Sequence, residues 1–175
     1  MGNNDKVGAI LFSDRIERFI PPKKGRSHVL RIIREIIEIE PEGTGTDIAS
    51  ALGHFLSAMK KRTISFLISD FRDSGFEQPL KHAGRRHDLV ALRVTDPFDR
   101  ELPNVGWLPL QDPETGEIQW VQTSNKRSRK KHLLAEKERE ADLNSLFVRS
   151  GVDQAVLLTN KPYVQPLMQL FDRRG

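Results

Sequence analysis

Two oxygen-bearing positions invite a chemical reading. Thr46 lies in the turn "EGTGTDIASAL", just ahead of a helical pattern, and Asp70 closes the hydrophobic run "ISFLIS". A hydroxyl and a carboxylate are hard donors, suited to a cation such as magnesium, which takes about six oxygen ligands. Two protein ligands leave most of that shell to water, so such binding is weak. The same residues also have plainer uses. Thr46 can cap the helix behind it, and Asp70 can cap the next element or pair with Arg72.

Other groups offer less. Asp96 and Asp99 in "TDPFD" follow a strand, and Asp70 with Asp96 could form an acidic site for phosphoryl transfer; a proline-containing turn explains the pair more simply. Ser13-Asp14 and Ser69-Asp70 suggest a hydrolase only until the missing Gly-x-Ser-x-Gly elbow is noticed. His28, His54, His82, His87 and His132 show no metal-ligand spacing, and no glycine-rich phosphate or dinucleotide motif occurs. Without cysteine there is no thiolate metal site, disulfide or cysteine nucleophile. No residue pattern activates a nucleophile, so the expectation is a non-enzyme. The run "NKRSRKKH", Asn125 to His132, could grip phosphates, but no aromatic residues are interleaved within it for base stacking. A solvated face is the simpler reading, and a nucleic-acid partner is not expected. The net charge of +4 and pI near 9.5 are mild and fit that reading.

These side chains must be positioned by elements the hydrophobic pattern predicts. "KVGAILFS" (Lys6 to Ser13) and "IERFI" (Ile16 to Ile20) read as a hairpin across a tight turn. After "PPKKGR", Ser27 is a good N-cap for a helix whose Val29, Leu30, Ile33, Ile36 and Ile37 make a wide apolar face, expected to be buried. A second helix carries Ile48, Leu52, Phe55, Leu56 and Met59 on one side. "TISFLIS" and "DLVALRV" are nearly continuous in apolarity, the mark of strands covered on both faces. A short helix fits between them. "VGWLPLQ" and "IQWVQT" flank a "DPETGE" turn and read as a projecting hairpin. A long charged helix from about Asn125 to Arg149, the strand "QAVLLT" and a closing helix follow. The expected architecture is α/β, a mostly parallel doubly wound sheet forming a single domain over 1–175. No apolar run approaches the roughly 20 residues of a membrane span, and the N-terminus lacks the pattern of a leader; the expectation is a soluble, cytoplasmic chain without a membrane partner.

The segments "NDKVGAILFSD", "PPKKGRSHVLRIIREI", "GTGTDIASAL", "FLISDF" and "LPLQDPETGE", in this order, resemble the von Willebrand factor A-like domain of the bacterial domain of unknown function 58 family over nearly the whole chain. The resemblance implies a Rossmann-like sheet, a cytoplasmic setting, frequent association with MoxR-type AAA+ ATPases, and a metal-ion-dependent adhesion site for Mg2+. Thr46, five and six residues before Ala51-Leu52, matches the threonine of that site, and Asp70 matches its strand-terminal aspartate. The Asp-x-Ser-x-Ser motif of its first loop is absent. In that family an opening strand and helix precede the segment resembling "NDKVGAILFSD", so the resemblance implies a chain that begins inside the domain, with Mg2+ binding weak or absent. The function so implied is a protein-interaction module with a degenerate adhesion site. The alternatives are a magnesium-dependent hydrolase or phosphotransferase using Asp70 and Asp96, and an inactive structural fragment.

Overall fold

The computed structural model describes residues 5–111 and 118–174. Strands β1 (Val7–Phe12) and β2 (Ile16–Lys23) form an antiparallel hairpin, with Ala9 opposite Ile20 and Leu11 opposite Arg18. β2 runs three residues further than "IERFI", because prolines at 21 and 22 are tolerated on a strand whose outer edge meets no other strand among the described residues. Helix α1 (Arg26–Glu38) follows, then α2 (Ile48–Ala58), β3 (Ile64–Ser69), α3 (Glu77–Arg86) and β4 (Asp88–Thr95). A four-residue helix α4 (Pro97–Arg100) occupies what the sequence suggested was only a turn. β5 (Trp107–Gln111) and β6 (Ile118–Gln122) make the second hairpin, whose predicted "DPETGE" turn lies outside the described residues. The long helix α5 (Lys126–Ser150), strand β7 (Asp153–Leu158) and helix α6 (Val164–Asp172) complete the chain. α5 stops where Gly151 takes a left-handed conformation (φ 65°) that costs glycine little.

The centre is a three-stranded parallel sheet in the order β3-β4-β7. Ile64 to Ser69 run beside Asp88 to Arg93, and Val90 to Thr95 beside Asp153 to Leu158, so all three strands end at one edge. Helices α2, α3 and α5 cover one face. Ile48, Leu52, Leu80, Ala83, Leu143 and Phe147 there meet Leu67, Leu89 and Ala91 from the strands. On the other face Val90, Leu92 and Ala155 pack beneath Leu170 of α6. The fold is thus mixed α/β, with two antiparallel hairpins outside the parallel sheet.

Three expectations are corrected. Ser27 does not cap α1; the cap position is Gly25 and no side chain bonds there. The apolar face of α1 is not buried. Only Ile32 is inside, while Leu30, Ile33, Ile36 and Ile37 are exposed, since α1 packs mainly against its own hairpin and no strand of the central sheet lies beneath it among the described residues. β3 is not covered on both faces. Its Leu67 faces the helices, but Ile64, Phe66 and Ile68 alternate onto the opposite face, where α6 lies over β4 and β7 and meets β3 in the Phe66–Phe171 ring contact. β3 pairs with β4 alone, leaving one edge without a strand among the described residues.

Candidate functional site at the carboxyl edge

The loop bearing Thr46 is pinned at both ends to the first hairpin. The Gly43 N–H donates to Glu17 Oε1 (2.9 Å), and the Asp47 N–H to the carbonyl of Ser13 (2.9 Å). Ser13, itself buried, donates to the same Glu17 oxygen at 2.5 Å. Those donors, Ser13 first, hold the Glu17 carboxyl below its ordinary range. A Cβ at Gly43 would meet Ser13 Oγ and the Asp14 carboxylate, so those side chains would have to turn aside. Thr46 stands half-buried one residue before Asp47. Asp47, rather than Thr46, caps α2, accepting from the Ser50 N–H at 2.7 Å.

Asp70 follows the end of β3. Its Oδ1 accepts from the Arg72 N–H (3.2 Å) and Ser69 Oγ (3.4 Å), and half of its side chain faces solvent. The next residue, Phe71, has φ 56°, a left-handed conformation unusual for an aromatic residue. It is held there because its ring is buried between Phe76 and Phe147. Core packing thus fixes the backbone turn that presents Asp70 outward. Three residues on, Asp73 Oδ2 accepts from the Ile48 N–H (2.8 Å), tying the loop after β3 to the first turn of α2. By that bond the structure joins the loop of Asp70 to the helix that follows Thr46.

What sequence reasoning missed is the reach of Arg72 beyond Asp70. Its guanidinium lies 4.0 Å from Asp70, 3.5 Å from Asp99 and 3.3 Å from Glu136 of α5. Arg139 adds a second cation to Glu136 at 3.0 Å. Burial pushes the Glu136 carboxyl up, but Arg139 and Arg72 outweigh it and the net direction is down. The pairing of Arg72 with Asp70 was legible from their two-residue spacing; the partner 64 residues away was not.

Asp96 is committed elsewhere. One oxygen accepts from the Phe98 N–H (2.9 Å) and the other from Thr159 Oγ1 (2.8 Å), bonds that depress its carboxyl. It serves as the cap of α4 and a tie to the end of β7. Asp99, not Asp96, shares a cation with Asp70.

Thr46 offers a hydroxyl and Asp70 a carboxylate that is engaged by Arg72, and no group of three or more His, Cys, Asp or Glu side chains converges among the described residues. These residues do not fit a tight magnesium site.

An α/β domain with an arginine-bridged acidic cluster at the carboxyl edge of a parallel sheet is the class these features define. The chain matches the family described as Protein of unknown function DUF58 over residues 1–142, and it belongs to that family. The uncharacterized protein Rv1480 of Mycobacterium tuberculosis is 32% identical over 120 residues, covering 67% of this chain and 38% of that protein. The chain therefore spans well under half the length of such relatives. The uncharacterized protein MAV169 of Mycobacterium avium is 27% identical over 158 residues, with 89% of this chain and 93% of that one covered. Among solved structures, the conserved hypothetical protein BatB from Bacteroides thetaiotaomicron superposes with a TM-score of 0.54 at 14% identity, over 98% of this chain and 79% of that one. An aerotolerance-related membrane protein from Bacteroides fragilis gives 0.54 at 15%, over 98% and 81%. That likeness is of fold alone. No helix among the described residues is long and apolar enough to cross a membrane.

Proposed function

We propose that this chain is a protein-interaction module of von Willebrand factor A-like type, whose carboxyl edge contacts its partner without catalysing a reaction. The observation that carries the reading is the strained, core-locked Phe71, which holds Asp70 half-exposed beside Arg72, Asp99 and Glu136. Unusual backbone conformations persist where packing over-determines them, and they cluster at binding and switch regions. Here Arg72 supplies the positive charge that a metal would supply in an adhesion site, so recognition is proposed to be metal-independent. A MoxR-type AAA+ ATPase is the proposed partner, on the strength of the sequence resemblance alone.

Titration of the chain with the purified MoxR-type ATPase of the same organism, with and without a chelator, tests the reading. Saturable binding that survives chelation and weakens about tenfold, or 1.4 kcal/mol, in Arg72→Ala is expected. Magnesium-dependent phosphoester turnover that disappears in Asp70→Ala would replace this proposal with a hydrolase.

A further inference from the structure

The β5–β6 ribbon and the start of α5 form a second surface, apart from the carboxyl-edge cluster. The register places Trp107 opposite Gln122 and Pro109 opposite Trp120, so Trp107, Pro109, Ile118 and Trp120 share one face. That face is open to solvent, with Trp107 63% and Trp120 61% exposed, whereas Leu108 and Val121 behind it are half-buried. The ribbon is firmly seated. Thr123, fully buried, donates to the Gly106 carbonyl through both N–H and Oγ1 and accepts from the Val105 N–H. Arg129 of α5 donates to the Thr123 carbonyl and to Asn104 Oδ1.

Three observations converge on this surface. First, the ribbon is two-stranded, so β6 has an outer edge with no strand beside it among the described residues. β5 contains Pro109, which lacks a backbone donor, but β6 (Ile-Gln-Trp-Val-Gln) carries neither the proline nor the charges that usually protect such an edge. Second, two tryptophans on one exposed face are costly to hydrate and well suited to apolar contact. Third, Lys126, Lys130 and Lys131 are exposed without an ion-pair partner among the described residues, on a helix start with no acidic residue in its first turn. The helix dipole opposes cations at that end, so an external anion improves their energy.

We propose that β6 is the docking edge for an extended acidic segment of a protein partner. The segment adds to the ribbon as a third strand, lays apolar side chains on Trp107 and Trp120, and brings its carboxylates to the start of α5. A lipid surface would leave the backbone edge unused, and a nucleic acid would gain little from Ile118 and Pro109.

The whole chain can be titrated with a short labelled peptide alternating valine and glutamate, read by anisotropy and by tryptophan emission. Saturable binding with a change in emission is expected. Trp120→Ala, and separately Lys130→Glu with Lys131→Glu, should each weaken it about tenfold while circular dichroism and melting temperature stay unchanged. A peptide with proline at alternate positions, unable to join a strand, should not bind. Failure of the valine–glutamate peptide to bind, or equal binding by wild type and variants, overturns the proposal. Binding to phosphatidylserine vesicles or to oligo-thymidine in place of the peptide overturns it in favour of those partners.

Discussion

β3 and β4 lie side by side in the same sheet with similar apolar sequences, and they live in different environments. β4 has a strand on each side and helices over both faces; Val90 and Ala91 are fully buried. Among the described residues β3 has a strand, β4, on one side only, and Ile64 and Ile68, 67% and 58% exposed, face water. An apolar run measures how much a strand can bury, not what has been placed on it. Here the difference follows from α6, which covers β4 and β7 and touches β3 at Phe66 through Phe171.

The largest expected effect breaks the covered side. Phe147→Ala removes a fully buried ring packed on Phe71 and should cost about 3–5 kcal/mol by urea unfolding, whereas Phe66→Ala on the open face of β3 should cost less than about 1 kcal/mol. Equal costs would mean that the outer face of β3 is occupied in solution. Next, Gly43→Ala places a Cβ against Ser13 Oγ and the Asp14 carboxylate, which must turn aside; loss of the Ser13–Glu17 bond should cost about 0.5–1.5 kcal/mol. An unchanged melting temperature would show that the Thr46 loop is not held as described.

A smaller effect sharpens the comparison from the open side. Unpaired apolar edges promote association between chains. Ile64→Lys with Ile68→Lys should therefore lower concentration-dependent self-association in sedimentation velocity and leave the urea midpoint within about 0.5 kcal/mol of the parent. A sedimentation profile identical to the parent's would remove β3 as the sticky edge.

The smallest concerns His87, at the junction of α3 and β4. It is 1% exposed, bonded through Nδ1 to Thr63 Oγ1 (3.2 Å) and stacked near Phe55, with Nε2 unpartnered among the described residues. Burial, with Arg86 nearby, depresses its pKa from 6.5. Above 6.5 the folded and unfolded chains are both neutral there. As pH falls below that value the unfolded chain takes up the proton first, so stability is lost until the folded value is passed. The difference in melting temperature between wild type and His87→Gln should narrow as the pH is lowered through this window; a constant difference would mean that His87 does not titrate with unfolding.

Much of the fold could be read from periodicity. The order of strands and helices, the parallel central strands and the projecting second hairpin were legible because each repeats its pattern over several residues. What was not legible depends on neighbours. The apolar face of α1 announces a burial that no element supplies, and "TISFLIS" looks like "DLVALRV" although only the latter is enclosed. At the site, Thr46 and Asp70 stood out by residue type and by resemblance. Asp47 took the capping role, since the residue immediately before the first turn has the geometry to reach Ser50. Asp96 was offered as an alternative partner of Asp70 because both follow strand ends, a position that says nothing about which way a carboxylate turns; the plainer turn reading is the one its cap of α4 fits. Arg72 gave a local signal only, and its joining of Asp70, Asp99 and Glu136 exists only once α5 has crossed the edge.

The clasp of Ser13, Glu17 and Gly43 couples two motions that the chain order keeps apart. Hydrogen exchange measures how often a segment opens, and cooperative units that share few contacts with the core open without the rest. The first hairpin touches α1 and α2 but pairs with no strand of the central sheet among the described residues. Each time it lifts away it takes the anchor of the Thr46 loop with it. Amides of Ala9 to Leu11 and of Gly43 and Asp47 should therefore exchange as one set, faster than those of β4.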